Sequence, residues 1–367
     1  MIDFFEIDFL DVETNKSGDA IAMRYRVGGQ QVIHVVDGGF QATGPSLTKH
    51  INDYYGGASH VDRVIVSHPD GDHAGGLRTV LETMSVGELW MLRPWLYSDE
   101  LIDRFEGLTS VDRLRTRLRS LYPNLAALED IAIEQGIPIF NPFQGAKIGE
   151  FTVLAPSKSR YLDLIVESDR TPESSEEAQR GSVASFGSAV GAAVATAVAT
   201  ATNFVRALWG EEVFAVQGTS AENEMSVIQF ARICDNRILL TADAGRQALD
   251  EAAQFAPQAG LLLPGIDRFQ VPHHGSRRNV DSATLDTWLG PKKASESEST
   301  GTFSAIISSA KADTHHPRKA VVRALIHRGA KVFTTEGTTH CTSCNPPARS
   351  GWSAAPTEPY PSEQEEE

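Results

Sequence analysis

Four side chains that can bind a metal ion fall within six residues of this sequence, in the stretch 67–77. They are His68, Asp70, Asp72 and His73. If they packed together without a cation, like charges and unpaired polar groups would face one another, and a divalent ion relieves that conflict. The glycines at positions 71, 75 and 76 suit a loop that folds closely around an ion. A polar surface loop is the alternative interpretation.

The elements on either side of this loop are readable from their patterns. The β-branched run 61–66 precedes it and predicts a strand, and the apolar spacing of 77–81 predicts the start of a helix. Three further strands are expected before residue 40, the last of which ends in the turn Asp37-Gly38-Gly39. A strand followed by a ligand loop and a helix is typical of a metal site at the edge of an α/β sheet.

The pattern His-x-Asp-x-Asp-His-x-Gly-Gly resembles the ligand motif of the metallo-β-lactamase-fold hydrolases, with an aspartate in place of the second histidine. Within that superfamily it is most similar to the ComEC-type, competence-associated hydrolase domain. The resemblance extends over most of residues 1–340. It implies an α/β protein with an αββα sandwich and helical insertions.

The composition divides the chain into four segments. Residues 1–156 are expected to form the N-terminal half of the domain, with a helical insertion at about 98–135, and residues 221–340 the C-terminal half. Residues 157–220 form a low-complexity, alanine-rich insertion, expected to be a flexible linker and a close-packing helix that either covers the site or contacts a protein partner or a second copy of the chain. A membrane span there would separate the metal ligands, so none is expected. Residues 341–367 are predicted to be a disordered acidic tail.

Overall composition limits where the protein works and what it binds. The 367 residues carry a formal net charge of −15, which argues against a surface that grips nucleic acid as a whole. Three cysteines cannot build a disulfide scaffold, and the N-terminus shows no secretory leader. A cytoplasmic protein is therefore expected.

The resemblance also implies which distant residues join the metal loop. Asp243 follows an apolar strand and is expected to bridge two ions, and one histidine of the His273-His274 pair is expected to bind metal, with no indication of which. His316, before a proline and a predicted helix, is a candidate for substrate binding or proton transfer. Residues expected to support the ligands without binding the ion are Asp37, Asn223 and Ser226.

These ligands predict a hydrolase that uses a metal-activated hydroxide. One ion would be held by Asp72, His73, Asp243 and a histidine of the pair, and Asp72 is also the expected catalytic base. A second would be held by His68, Asp70 and Asp243. The chain has no histidine between His73 and His273, so the second site is short of a ligand unless Asn223, Glu224 or water completes it. Zn²⁺ and Mn²⁺ are both candidates, as one or two ions.

Local charge favours a phosphodiester substrate, with nucleic acid as one candidate. Residues 264–331 contain eleven Lys and Arg against six Asp and Glu. The candidate substrate-binding residues are Ser276, Arg277, Arg278 and Lys311. The alternatives are hydrolysis of a small ester, lactone or lactam, and a metal-bound interaction or sensor module without turnover.

Overall fold

Two seven-stranded β-sheets form the centre of the structure, a computed structural model that describes residues 2–12, 14–171 and 204–366. The first sheet contains β1 (Phe4–Phe9), β2 (Ala20–Val27), β3 (Gln30–Gly38), β4 (His60–Ile65), β5 (Ser85–Trp90), β6 (Ile139–Phe140) and β15 (His340–Cys344), in the order β15-β1-β2-β3-β4-β5-β6. The second contains β7 (Lys147–Ile148), β8 (Phe151–Ala155), β10 (Ile228–Ile233), β11 (Asn236–Leu240), β12 (Arg268–Gln270), β13 (Phe303–Ile307) and β14 (Ala330–Thr334), in the order β14-β13-β12-β11-β10-β8-β7. A small separate sheet pairs β9 (Phe204–Arg206) with β16 (Glu363–Glu365).

Helices connect many of these strands. The α-helices are α1 (Gly44–Tyr54), α2 (Gly71–Ala74), α3 (Leu77–Thr83), α4 (Ser98–Leu101), α5 (Val111–Leu121), α6 (Pro123–Gln135), α7 (Lys158–Glu167), α8 (Ala221–Glu224), α9 (Arg246–Phe255), α10 (Ser282–Leu289) and α11 (Lys319–His327). Local signals set several ends: Ser110 caps the first turn of α5, and α6 begins at Pro123 and ends before Gly136, whose φ is +69°. The predicted helical insertion at about 98–135 corresponds to α4, α5 and α6.

The apolar side chains form layers between the sheets and outside them. Residues of both sheets, such as Val35, Ile238 and Ile306, are fully buried in one core cluster that also takes in Leu81 of α3. A second cluster packs Leu249 and other residues of α9, α10 and α11 against the second sheet. Because each sheet has a partner sheet on one face and helices on the other, the predicted αββα sandwich is confirmed.

Strand direction brings one end of each sheet to the same region. The neighbours β3, β4 and β5 run parallel, as do β11, β12, β13 and β14. The carboxyl ends of parallel strands lie on one edge of a sheet, and the loops after them carry the side chains discussed below.

The C-terminal segment differs from the predicted disordered tail. Residues 340–344 form β15, which pairs with β1, and Gln364 and Glu365 of β16 are only 2% exposed. The Glu365 carboxylate accepts hydrogen bonds from the backbone of Lys319 and Ala320 at the start of α11, at 2.8 and 3.0 Å. The acidic composition that suggested disorder instead serves to cap a helix.

The insertion 157–220 is described at its two ends. It begins with α7 and resumes at β9, and the expected alanine-rich helix lies outside the described residues. Among the residues that the structure describes, no helix has the length and apolar character needed to cross a membrane.

Candidate metal centre

The metal loop connects β4 to the short helix α2. His68 and Asp70 lie in the loop itself, and Asp72 and His73 lie on the first turn of α2. The loop packs closely on its neighbour, because a Cβ atom at Gly76 would come 2.0 Å from the carbonyl oxygen of Gly38. The backbone of the loop therefore packs directly against the end of β3.

The opposing ligands come from the second sheet, where the backbone is strained. Asp243 follows β11, and His273 and His274 follow β12. Ala242, His273 and His274 have φ values of +47°, +46° and +54°, and Asp37 at the end of β3 has φ +57°. Left-handed geometry at a non-glycine residue costs about 1–3 kcal/mol and is found mainly where the surroundings enforce it, often at functional sites.

Hydrogen bonds fix the proton position on three imidazoles. The Nδ1 atom of His73 donates to Asp37 Oδ2 at 2.9 Å, and that of His274 donates to the carbonyl oxygen of Ser308 at 2.8 Å. Ser67 Oγ donates to Asp37, so it accepts from Nδ1 of His68 at 2.9 Å. Each Nδ1 therefore carries a proton, which leaves Nε2 as the atom that can bind a metal ion.

These three Nε2 atoms converge on Asp243. The distances to the Asp243 oxygens are 3.7 Å from His68, 3.2 Å from His73 and 3.8 Å from His274. All three nitrogens and Asp243 Oδ1 are buried without a hydrogen-bond partner. Unsatisfied buried acceptors are costly, and ligand atoms around a tetrahedral zinc ion lie roughly 3.4 Å apart. The donor set therefore fits a divalent cation.

Two further carboxylates complete the rim of the cluster. Asp72 Oδ2 lies 3.8 Å from His274 Nε2, and Asp70 Oδ2 lies 3.9 Å from His68 Nε2. The other oxygen of Asp70 accepts a hydrogen bond from Arg170 at 2.5 Å. Asp72, His73 and His274 form one compact group of ligand atoms, which matches the first ion site expected from the sequence apart from Asp243.

Asp19 is a buried carboxylate at the centre that sequence reasoning missed. One of its oxygens accepts from Gln270 at 3.0 Å, and the other is buried with no partner. It forms a second compact group of ligand atoms with Asp243 and His274. Burial raises the pKa of Asp19. Asp19 lies before a strand, whereas functional side chains were expected after strands, so its position in the sequence did not indicate a role.

The electrostatics of the centre without a cation show why one would bind. Burial lowers the pKa of His274, but Asp243 and Asp72 outweigh that effect and raise the pKa to about 9. The pKa of His73 is also raised, since Asp243 and Asp37 overcome its burial. Without a metal ion, protons on these imidazoles supply the positive charge that balances the carboxylates. A metal ion can displace those protons.

A cleft of ≈ 1090 Å³ opens beside the centre. Asp72, His273 and His274 line it, together with the predicted substrate-binding residues Ser276, Arg277 and Arg278. Further lining residues that the sequence analysis did not select are Lys16, Phe40, Phe214, Asp313, His315 and Arg318. The fourth predicted substrate-binding residue, Lys311, is exposed and is not among the residues that line this cleft, although Asp313, shortly after it, is.

His316 lines the same cleft and forms a dyad with Asp313. Its Nδ1 atom lies 3.1 Å from Asp313 Oδ2, which also accepts from Ser17 Oγ at 2.8 Å. The His316 ring stacks on that of His273, with centroids 5.5 Å apart. The sequence predicted a role for His316 but not for Asp313, which is a carboxylate three residues before it.

The predicted supporting residues have different surroundings. Asp37 is fully buried and holds His73, as described above, and the amide of Asn223 lies 3.0 Å from Nδ1 of His273. Ser226 is buried, but it has no hydrogen bond to a ligand of the centre. Glu224, considered as a possible ligand, instead accepts from the backbone of Ala248 at 2.7 Å at the start of α9, so its carboxylate is directed away from the ion sites.

Part of this chain matches one known superfamily. Residues 20–102 match the model of the Metallo-beta-lactamase superfamily. No curated protein matches the chain.

Three solved structures are similar to the chain at low identity. Rm3 metallo-β-lactamase shares 14% identity over 44% of this chain and 52% of its own, with a TM-score of 0.23, so the alignment spans about half of that protein. Metallo-β-lactamase SMB-1 bound to 2-mercaptoethanesulfonate shares 10% over 69% and 75%, with a TM-score of 0.28. Hydrolase AbOPH of the β-lactamase superfamily shares 11% over 67% and 71%, with a TM-score of 0.30.

The superfamily match lies on the segment that carries β2 to β5 and the metal loop. Residues 20–102 of this chain thus match the superfamily, and the two large sheets with their helices are consistent with the metallo-β-lactamase fold.

Proposed function

We propose that this chain is a metal-dependent hydrolase whose substrate is a phosphodiester. The superfamily match supports the hydrolase, and the cluster of unpartnered imidazole nitrogens around Asp243 supports its dependence on metal. The choice of a phosphodiester depends on one observation, which is the state of the arginines in the cleft.

These arginines carry positive charge that the described part of the chain does not neutralise. Within the described residues, no carboxylate lies within 4.0 Å of the guanidinium groups of Arg278 or Arg318 in the cleft wall. Burial lowers the pKa of Arg318, and the nearby Arg277 and Arg278 lower it further against the attraction of Glu365. Cations crowded beside a metal centre favour an anionic substrate, and guanidinium groups match the geometry of phosphate oxygens.

An ion bound at the centre would polarise a phosphoryl oxygen and lower the pKa of a water molecule. The ligands for one ion or two would come from His68, His73, His274 and Asp243, with Asp70 and Asp72 at the rim. Asp72 faces the cleft and is ionised, because His274 and His73 outweigh the effect of burial and lower its pKa. Its carboxylate accepts the proton of the attacking water.

His316 is the second group that can move a proton. Asp313 holds its Nδ1, so Nε2 is the atom at which a proton is taken up or delivered. Burial lowers the pKa of His316, with Asp313 acting in the opposite direction, and the imidazole enters the reaction neutral. An anionic substrate in the cleft would raise that pKa, so Nε2 of His316 would take up a proton from solvent when the substrate binds and give it to the leaving oxygen.

A turnover assay with metal-depleted and metal-restored protein tests this proposal. The substrates would be bis-p-nitrophenyl phosphate, single- and double-stranded DNA, RNA, a lactone and a β-lactam, each with added Mn²⁺ or Zn²⁺. Hydrolysis of the phosphodiesters that requires added metal would support the proposal. Metal-dependent hydrolysis of the lactone or β-lactam alone would replace the substrate class, and no turnover of any substrate by metal-loaded protein would favour the interaction or sensor module.

A further inference from the structure

The second ion site lacks a ligand if only the expected residues are counted. His68, Asp70 and the shared Asp243 give three ligands, and the sequence has no histidine between His73 and His273. A structural observation about the His273-His274 pair fills this gap. A role for this pair in the second ion site rests on the metal centre proposed above.

The two adjacent histidines approach opposite oxygens of Asp243. His274 Nε2 lies 3.8 Å from Oδ1, the oxygen that His73 Nε2 approaches at 3.2 Å. His273 Nε2 lies 3.7 Å from Oδ2, the oxygen that His68 Nε2 also approaches at 3.7 Å. The carboxylate therefore divides four imidazoles into two pairs, one on each oxygen.

The hydrogen bonds of Asn279 give His273 the correct tautomer for metal binding. Asn279 donates its amide to the carbonyl oxygens of Asp243 and Ala244, at 2.8 and 3.3 Å, so its own oxygen faces His273. That oxygen lies 2.9 Å from Nδ1 of His273 and accepts its proton. In the structure the amide nitrogen of Asn223 also lies 3.0 Å from Nδ1, and turning that amide by 180° places its oxygen at the ring, where it accepts beside the oxygen of Asn279. The lone pair of Nε2 then points to the Asp243 side of the ring.

The backbone is arranged to present both rings. His273 and His274 each have left-handed dihedrals, with φ values of +46° and +54°. Two consecutive histidines in this region are unfavourable, and the strain is understandable if both side chains have a task at the centre. The two ring planes are inclined at 71°, with their centroids 5.7 Å apart.

We propose that the pair is divided between two ions. His274 binds the ion held by Asp72, His73 and Asp243, and His273 binds the ion held by His68, Asp70 and Asp243. His273 thus replaces the histidine that the sequence lacks, and Asn279 is the positioning residue that fixes its tautomer. The rival role for His273 is contact with the substrate, since its ring lines the cleft and its side chain is 27% exposed.

Glycine variants separate these roles. Glycine adopts left-handed dihedrals without strain and offers no ligand, so His273→Gly and His274→Gly remove one imidazole each with little damage to the backbone. His315→Ala is the matched control, because His315 lines the same cleft and makes no contact with Asp243. Circular dichroism and thermal melting of every variant would establish that it is folded.

Mn²⁺ binding is the readout, by isothermal titration and by electron paramagnetic resonance. The wild-type protein and His315→Ala should bind two Mn²⁺ per chain and show the spectrum of a spin-coupled pair. His273→Gly should bind one ion with unchanged affinity and the other ion with an affinity that is lower by about 10–100-fold or more. Its spectrum should be that of isolated Mn²⁺. His274→Gly should instead weaken the binding of the ion that Asp72 and His73 hold.

The possible failures are distinct. If folded His273→Gly binds two Mn²⁺ with wild-type affinity, or if it loses substrate affinity alone, His273 is not a ligand and the inference is overturned. If the wild-type protein binds a single ion that His273→Gly retains, the inference also fails, while the proposed hydrolase stands. If the wild-type protein binds no Mn²⁺ or Zn²⁺ at all, the proposed function itself fails.

Discussion

Replacing Asp243 with asparagine should remove both ions at once. Asparagine keeps the shape of the side chain but loses the charge and one acceptor oxygen. The carboxylate of Asp243 lies 3.2 to 3.8 Å from the Nε2 atoms of four histidines, and it is 2% exposed. No other described carboxylate approaches all four.

The size of the effect follows from these contacts. Loss of a residue that only supports a metal ligand costs about 10–100-fold in affinity, and Asp243 is a ligand itself in the proposed centre. We therefore expect Asp243→Asn to weaken the binding of each ion by about 100-fold or more, which corresponds to about 2.7 kcal/mol. Turnover of bis-p-nitrophenyl phosphate at limiting Mn²⁺ should fall by at least the same factor.

Metal content after dialysis, Mn²⁺ titration and turnover would be measured together. Asp235→Asn is the matched control, because its side chain is 95% exposed in the turn between β10 and β11 and the same chemical change there should alter none of these values. Circular dichroism would check that Asp243→Asn remains folded. A folded Asp243→Asn protein that retains two ions at wild-type affinity would refute the assignment of the centre to this carboxylate.

Four further outcomes are expected. Asp72→Asn should reduce turnover by about a hundredfold or more at saturating metal, because the proton acceptor is lost, and unchanged turnover would remove Asp72 from the mechanism. Arg278→Ala should raise KM for phosphodiesters at low salt, with a smaller effect at high salt and unaltered metal content, and a KM that is independent of the substitution at every salt concentration would contradict the role of the arginine. Because the pKa of His274 is raised to about 9 in the metal-free protein and that of His73 is also raised, metal binding near neutral pH displaces at least one proton, so apparent metal affinity should fall by about tenfold or more for each unit from pH 8 to pH 6. Titrations in buffers of different ionisation enthalpy would detect the released protons. Glu365→Ala should lower the free energy of unfolding in urea by about 1 kcal/mol, since it removes the cap of α11, and no change would mean that this cap contributes nothing to stability.

The metal loop could be predicted from the sequence because its information is local. His68, Asp70, Asp72 and His73 lie within one loop, and the strand before them and the helix after them have clear patterns. The same holds for Asp243, which follows an apolar strand at the end where α/β sheets carry functional groups. Local pattern, strand direction and residue chemistry agree at these positions.

Asp19 and Asp313 could not be predicted in the same way, because long-range contacts bring them to the site. Asp19 reaches the centre through Gln270, which is 251 residues away, and Asp313 is held by Ser17 at a separation of 296 residues. Neither has a motif of its own. The division of His273 and His274 between the two oxygens of Asp243 likewise depends on backbone dihedrals that the sequence does not reveal.

The C-terminal segment shows how composition can mislead. A proline-rich segment followed by glutamates is typical of a disordered tail. Here one of those glutamates, Glu365, meets the free backbone N–H groups at the start of α11, and β16 pairs with β9. Tertiary contacts, which composition does not encode, determine the order of this segment.

The most direct test of the metal centre is X-ray diffraction from crystals soaked in Mn²⁺, with data collected at the manganese absorption edge. We expect anomalous density beside Asp243 on both of its oxygens, one peak near Asp72, His73 and His274 and the other near His68. Strong anomalous density elsewhere in the protein, with none around Asp243, would contradict the centre on which the proposed hydrolase depends.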